Sequence, residues 1–173
     1  ILVGLLKGAY FTGLYGSAFK FVEAMILIPQ SLALALFPLS SRLFVDDKER
    51  LKKIYKKGLG VLLLFSLPFA LVLIFFSKWI VGFAYGVNYL TAAPVLSLLG
   101  LALILFFLNA LPGNIIQNSP KFKQFLPWAS LNFAIALVLC LILVPKYSII
   151  GAAWAVVGGE LAGLIINNWF VFK

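Results

Sequence analysis

Residues 58–77 read G-L-G-V-L-L-L-F-S-L-P-F-A-L-V-L-I-F-F-S, twenty consecutive positions without a charge. As a helix this stretch rises about 30 Å, the thickness of a bilayer's hydrocarbon core. It therefore reads as a membrane span, and the positions of the charges cut the rest of the chain in the same way. Composition agrees. Of the 173 residues, 64% are apolar and 11% charged, with a mean hydropathy of +1.11. A soluble domain carries roughly 45–50% apolar and about 25% charged residues, and a disordered chain needs low hydrophobicity and high charge. What remains is an all-α polytopic membrane protein.

Five complete spans emerge. The first runs from about Gly13 to Ser41 with Lys20 and Glu23 in its first half, and the second is Gly58 to Ser77. Each contains a proline, Pro29 and Pro68, which removes a backbone hydrogen bond, so both helices are expected to kink unless neighbours re-satisfy the freed carbonyls. From Trp79 to Pro120 there are 42 uncharged residues, twice what one crossing needs, so part of that run lies outside the core. Trp79, Phe83, Tyr85 and Tyr89, with Gly82, Gly86 and Asn88, suit an interfacial aromatic belt and a turn. The third span then starts near Pro94 and reaches about Leu111, before Pro112-Gly113-Asn114. Gln124 to Pro145 gives the fourth, and about Ile149 to Phe172 the fifth, interrupted only by Glu160.

Fourteen basic residues against five acidic ones give a net charge of +9. In a soluble protein that would suggest nucleic acid as partner, but here the charge lies in short gaps between apolar runs, where it sets membrane orientation. One side holds Arg42, Lys48, Arg50, Lys52, Lys53, Lys56, Lys57, Lys121, Lys123 and Lys173, and the other only Lys7, Lys78 and Lys146. Ten against three assigns the basic 42–57 segment and the C-terminus to the cytoplasm. Asp46 with Glu49 three residues later is a helix-start signal, and Leu51, Ile54, Tyr55 and Leu59 recur on one face, so an interfacial helix is expected to lead into the second span. Its lysines would sit at headgroup level, either as a solvated topogenic segment or as an attractor for a phosphate-bearing lipid.

An ionisable group within a span costs roughly 2.5–3.5 kcal/mol on insertion and usually faces the protein interior or a water-filled cavity. Lys20 and Glu23, three residues apart, either neutralise each other or line a polar pathway in which Lys20 binds an anionic group. Glu160 lies near the middle of its span behind Gly158-Gly159, which admit another helix backbone, and either carries a proton or makes a static interhelical bond. Gln30, Asn109, Asn114, Asn132, Asn167 and Asn168 add amides that can bond across helices or meet sugar hydroxyls. There is no histidine, a single cysteine (Cys140), no phosphate-cradling glycine loop and no close carboxylate pair, so neither a catalytic site nor a metal or cofactor is indicated.

With the spans placed, an ordered set of segments stands out: G-L-Y-G-S-A-F-K-F-V-E (13–23), I-P-Q-S-L-A-L-A-L-F-P-L-S-S-R (28–42), D-K-E-R-L-K-K-I-Y-K-K (47–57), S-L-P-F-A-L (66–71), F-A-Y-G-V-N-Y-L-T-A-A-P-V-L (83–96) and P-K-Y-S-I-I-G-A-A-W-A (145–155). Together they resemble the C-terminal half of a polysaccharide flippase of the multidrug/oligosaccharidyl-lipid/polysaccharide exporter superfamily. The resemblance implies one of two bundles related by internal repetition, a multi-pass protein of the plasma membrane, and movement of a lipid-linked oligosaccharide or polysaccharide precursor from the cytoplasmic to the outer leaflet by alternating access. A proton or sodium ion is the implied coupling ion, and the N-terminal half of the same protein the implied partner, with no nucleic acid. On this reading 1–57 holds the end of an upstream helix, one span and the basic segment, and 58–173 a polysaccharide-biosynthesis-type membrane domain with four spans. Lys20 and Glu23 match the charged pair of the helix facing the central cavity, Glu160 the acidic residue of the last helix of that half, and Pro145–Gly151 a short outer loop in which Ser148 stands where glycine is frequent. The alternatives are a drug or cation antiporter of the same superfamily, which should carry ion-binding carboxylates in its cavity, and a non-transporting scaffold that docks through Ala152-Ala153 and Gly158-Gly159-x-x-x-Gly163.

Overall fold

A computed structural model describes residues 2–46, 48–117 and 119–172, with side chains described outside 36–48; the side chains of Arg42, Asp46 and Lys48 therefore lie outside the described residues. The elements are helices: α1 (Leu2–Lys7), α2 (Ala9–Asp46), α3 (Lys48–Phe75), α4 (Ser77–Tyr85), a 3-10 turn (Val87–Ala92), α5 (Ala93–Gln117) and α6 (Phe122–Phe172). Four are long and apolar enough to cross a membrane, and α6 divides at Ser148 into arms 122–147 and 149–172, which accounts for the five expected spans.

The most buried helix is α5, whose Leu96, Leu99, Leu103, Phe107 and Leu111 are almost wholly covered by α2, α3 and α6 packed around it. Its apolar residues run all round rather than along one stripe, as a central helix requires. Gly100 lets α3 come close: a Cβ there would lie 3.0 Å from Leu73 and 3.2 Å from the Ala70 carbonyl. Ser97 Oγ adds a bond of 3.3 Å to the Ile74 carbonyl. The expected end of this helix at Pro112-Gly113-Asn114 is corrected, because α5 continues through Pro112 to Gln117. Leu111, Pro112, Ile115 and Ile116 are all buried, so packing on both sides of the proline holds the helix past it.

α3 runs without interruption from the basic segment into the span, so the expected interfacial helix is its first three turns. α2 is described to Asp46 and α3 from Lys48, and the helix start expected at Asp46 borders Asp47, which lies outside the described residues. Leu51 and Tyr55 are buried, and Lys52, Lys53, Lys56 and Lys57 are exposed, with Lys52 bonded to Glu49 at 3.1 Å. Pro29 and Pro68 both lie within continuous helical backbone.

The expected Pro145–Gly151 loop is shorter than a loop: helix persists on both sides of Ser148, the one residue with non-helical backbone (φ 54°, ψ −133°). The two arms fold back antiparallel on the glycines of the second. A Cβ at Gly151 would strike the Leu143 carbonyl, one at Gly158 would approach Leu139 to 2.7 Å, one at Gly159 Ala136 to 3.0 Å, and one at Gly163 the Asn132 amide to 3.1 Å. The glycine face weighed as a scaffold's docking stripe is thus used inside this hairpin. Breaking the helix at Ser148 frees carbonyls in the last turn of the first arm, and Lys7 Nζ caps one of them, Pro145 O, at 3.0 Å.

Ser148 holds a positive φ that glycine adopts without a Cβ clash, and its Oγ is buried without a hydrogen-bond partner. Ser148→Gly is expected to stabilise the protein by about 1 kcal/mol, read as a raised midpoint of thermal unfolding in detergent. Gly151→Val should lower that midpoint.

Candidate functional site

Polar groups at mid-depth meet at Asn109. Its Nδ2 donates to Glu160 Oε2 and to the Glu160 carbonyl, both at 2.9 Å, and its Oδ1 accepts from Asn167 Nδ2 at 3.1 Å. α5 thereby grips the second arm of α6 through one carboxamide. Beside Asn167, Tyr55 donates to Asn168 Oδ1 at 2.6 Å, and Asn168 Nδ2 donates to the Leu164 carbonyl at 2.7 Å, joining α3 to the same arm. Amides suit this position because hydrocarbon offers no substitute partner, so each donor and acceptor must be met inside the bundle.

Two cavities flank this knot. The smaller, about 330 Å³, lies between α2 and α5 and is lined by the amides of Gln30, Asn109, Asn114 and Gln117 with Ala33, Leu34, Ala110 and Gly113. The larger, about 610 Å³, lies between α1, α2, α5 and the arms of α6; its walls are apolar apart from Thr12, Tyr15, Cys140, Asn132 and Glu160. Asn132 Oδ1 is buried there without a hydrogen-bond partner.

The expected site residues are distributed as follows. Gln30 and Asn109 share the smaller cavity, Asn132 and Glu160 the larger, and the Asn109–Glu160 bond links the two. Lys20 and Glu23 line neither: both are exposed on the outer face of α2, and no ion pair joins them. Lys20 lies eleven residues from the start of the apolar part of α2, Ala9–Ala35, which is about 16 Å down a 30 Å core. Between positions 60 and 75, by contrast, the exposed residues of α3 are all apolar, among them Leu64, Phe65, Val72 and Phe75. Thr12, Tyr15, Tyr55 and Gln117 are members of the polar set that the sequence did not single out as site residues. Tyr55 was visible as part of the apolar face of the basic segment, where a phenol was the one group able to donate.

Asn109→Leu removes the partner of both the Glu160 carboxylate and the Asn167 amide. A loss of about 1 kcal/mol is expected from membrane-buried bonds of this kind, measured as a lower unfolding midpoint of the purified whole protein.

Comparison with known proteins places these helices. A family model described as polysaccharide biosynthesis protein matches residues 1–94. The match covers α1 to the start of α5. An uncharacterized membrane protein of Methanocaldococcus jannaschii is similar at 28% identity over the whole of this chain, which spans 36% of that protein's length. No solved structure matches. With more than half of its residues matched and helices that suit repeated membrane crossing, the chain is a multi-pass membrane protein belonging to the polysaccharide biosynthesis protein family.

Proposed function

We propose that this chain forms one bundle of a flippase that carries lipid-linked oligosaccharide or polysaccharide precursors across the plasma membrane, from the cytoplasmic to the outer leaflet, by alternating access. The observation that carries this reading is the exposed face of α2, with Lys20, Glu23 and Gln30 at membrane depth beside the apolar exposed face of α3. A charge at that depth against lipid costs roughly 2.5–3.5 kcal/mol, so the α2 face belongs against the water-filled space between two bundles while the α3 face belongs against lipid. A polar headgroup crossing between two opposed bundles needs such a face, with its lipid tail left in hydrocarbon.

In this account Lys20 attracts the phosphate of the precursor, and the amides around Gln30 and Asn114 meet sugar hydroxyls. Glu160, tied to Asn109, is the group available for a coupling proton or sodium ion. The excess of lysine and arginine at one end of the bundle puts Arg50, Lys52, Lys53, Lys56, Lys57 and the C-terminus in the cytoplasm.

In the whole protein, Lys20→Ala is expected to lower transport of the lipid-linked precursor roughly tenfold, the worth of a hydrogen bond to a charged group, at unchanged membrane abundance. Lys20→Arg should keep most of it. Full transport by Lys20→Ala at equal abundance would contradict the reading.

A further inference from the structure

We infer that the smaller cavity is a subsite for one uncharged sugar unit of the transported glycan, seated with its ring face on Ala33 and Leu34 and its hydroxyl groups on the surrounding carboxamides. The ligand class rests on the flippase reading and deepens it: this site takes a sugar remote from the phosphate and refuses acidic ones.

Two helix faces build the cavity. On α5, Asn109, Gly113 and Gln117 follow one another at intervals of four, with Ala110 and Asn114 in the adjoining row. Opposite them α2 presents Gln30, Ala33 and Leu34, three and four residues apart. Amides therefore surround a patch of small apolar groups. A pyranose ring has the matching form, with C–H groups on its faces and hydroxyls around its rim, and each carboxamide offers such a rim both donors and an acceptor. Gln30 and Gln117 make no hydrogen bond to protein among the described residues, so their amides are available to a ligand. The volume of about 330 Å³ is roughly eleven times one water's share of the liquid, which suits one sugar unit.

Gly113 distinguishes this cavity from a gap in packing. Gly100, Gly151, Gly158, Gly159 and Gly163 each face an atom that a Cβ would meet at 3.1 Å or closer, whereas a Cβ at Gly113 would meet nothing within 4 Å. Gly13, Gly16 and Gly60 are open too, but they line neither cavity. Glycine weakens a helix interior relative to alanine, and no neighbouring helix uses the space that the missing side chain leaves at position 113. That space belongs to the cavity, where it lets a ligand approach the α5 backbone.

Charge decides the class of sugar. No ionisable side chain lines the cavity among the described residues, and the group bonded to its wall, through Asn109 Nδ2 at 2.9 Å, is the Glu160 carboxylate. A phosphate or a uronic acid seated there would be an anion at membrane depth with no cation in contact, which is costly. Lys20 lies ten residues from Gln30, about 15 Å along α2. A precursor whose phosphate is at Lys20 therefore reaches the cavity with a sugar beyond the first.

The test uses the purified whole protein in nanodiscs, with its cysteines replaced (Cys140→Ser here) and Leu34→Cys at the rim of the cavity, which spares every amide. N-ethylmaleimide is applied alone, with the glycan that mild acid releases from the host's own lipid-linked precursor, with inorganic diphosphate, or with glucuronic acid. The glycan is expected to slow labelling several-fold, and the two anions to leave it unchanged. Adding Gly113→Leu, which fills the cavity with a better helix former, should abolish this protection without lowering the unfolding midpoint. A Leu34→Cys that resists labelling in the absence of glycan, labelling that the glycan does not slow, protection by either anion, or full protection in Gly113→Leu overturns the inference. The Leu34→Cys arm decides even where Gly113→Leu fails to fold. Transport is scored separately: protection in a protein that moves no precursor keeps the subsite and overturns only the flippase reading, and absence of protection where transport depends on Lys20 overturns the subsite and keeps that reading.

Discussion

Hydrocarbon supplies no hydrogen bonds, and every polar group this chain carries to membrane depth must be satisfied by protein or by enclosed water. Asn109 is where that constraint is most visible, since one carboxamide serves the side chain and backbone of Glu160 and the amide of Asn167. The bond fixes the second arm of α6 against α5, and the glycine-lined hairpin fixes the first arm against the second. With α2 and α3 also packed on α5, the central helix determines where each outer face points. The outer face of α2, where Lys20, Glu23 and Gln30 stand among exposed Leu27, Ile28 and Leu34, and the wholly apolar outer face of α3 between positions 60 and 75 follow from that arrangement.

The spans were legible because charge is so scarce that its positions alone mark the crossings. The hairpin at Ser148 was legible only as a gap between spans. Its reduction to one non-helical residue depends on the glycines at 151, 158, 159 and 163, whose partners on the other arm become known only once the arms are folded together. Pro112-Gly113 misled in the opposite sense. The pair has the chemistry of a helix end, yet Ile115 and Ile116 are buried beyond it, and tertiary packing outweighed the local signal.

The candidate site was legible as an inventory of residue types. Six amides, and three ionisable groups within spans, could be read off, the amide of Asn114 just past the expected end of its span, but Asn109 and Glu160 are 51 residues apart and nothing local pairs them. Lys20 and Glu23 show the reverse: their spacing offered mutual neutralisation, whereas both stand exposed and unbonded to each other on the α2 face. A short-range rule identified the neighbours. The surroundings of the helix decide what those neighbours do.

The central claim is that the outer face of α2 meets water where that of α3 meets lipid. Single cysteines at Lys20, Gln30, Phe65 and Val72, introduced into the whole protein in intact membranes and treated with a membrane-impermeant methanethiosulfonate, address it directly. The account predicts modification at Lys20→Cys and Gln30→Cys and protection at Phe65→Cys and Val72→Cys. Equal protection at all four positions would contradict it.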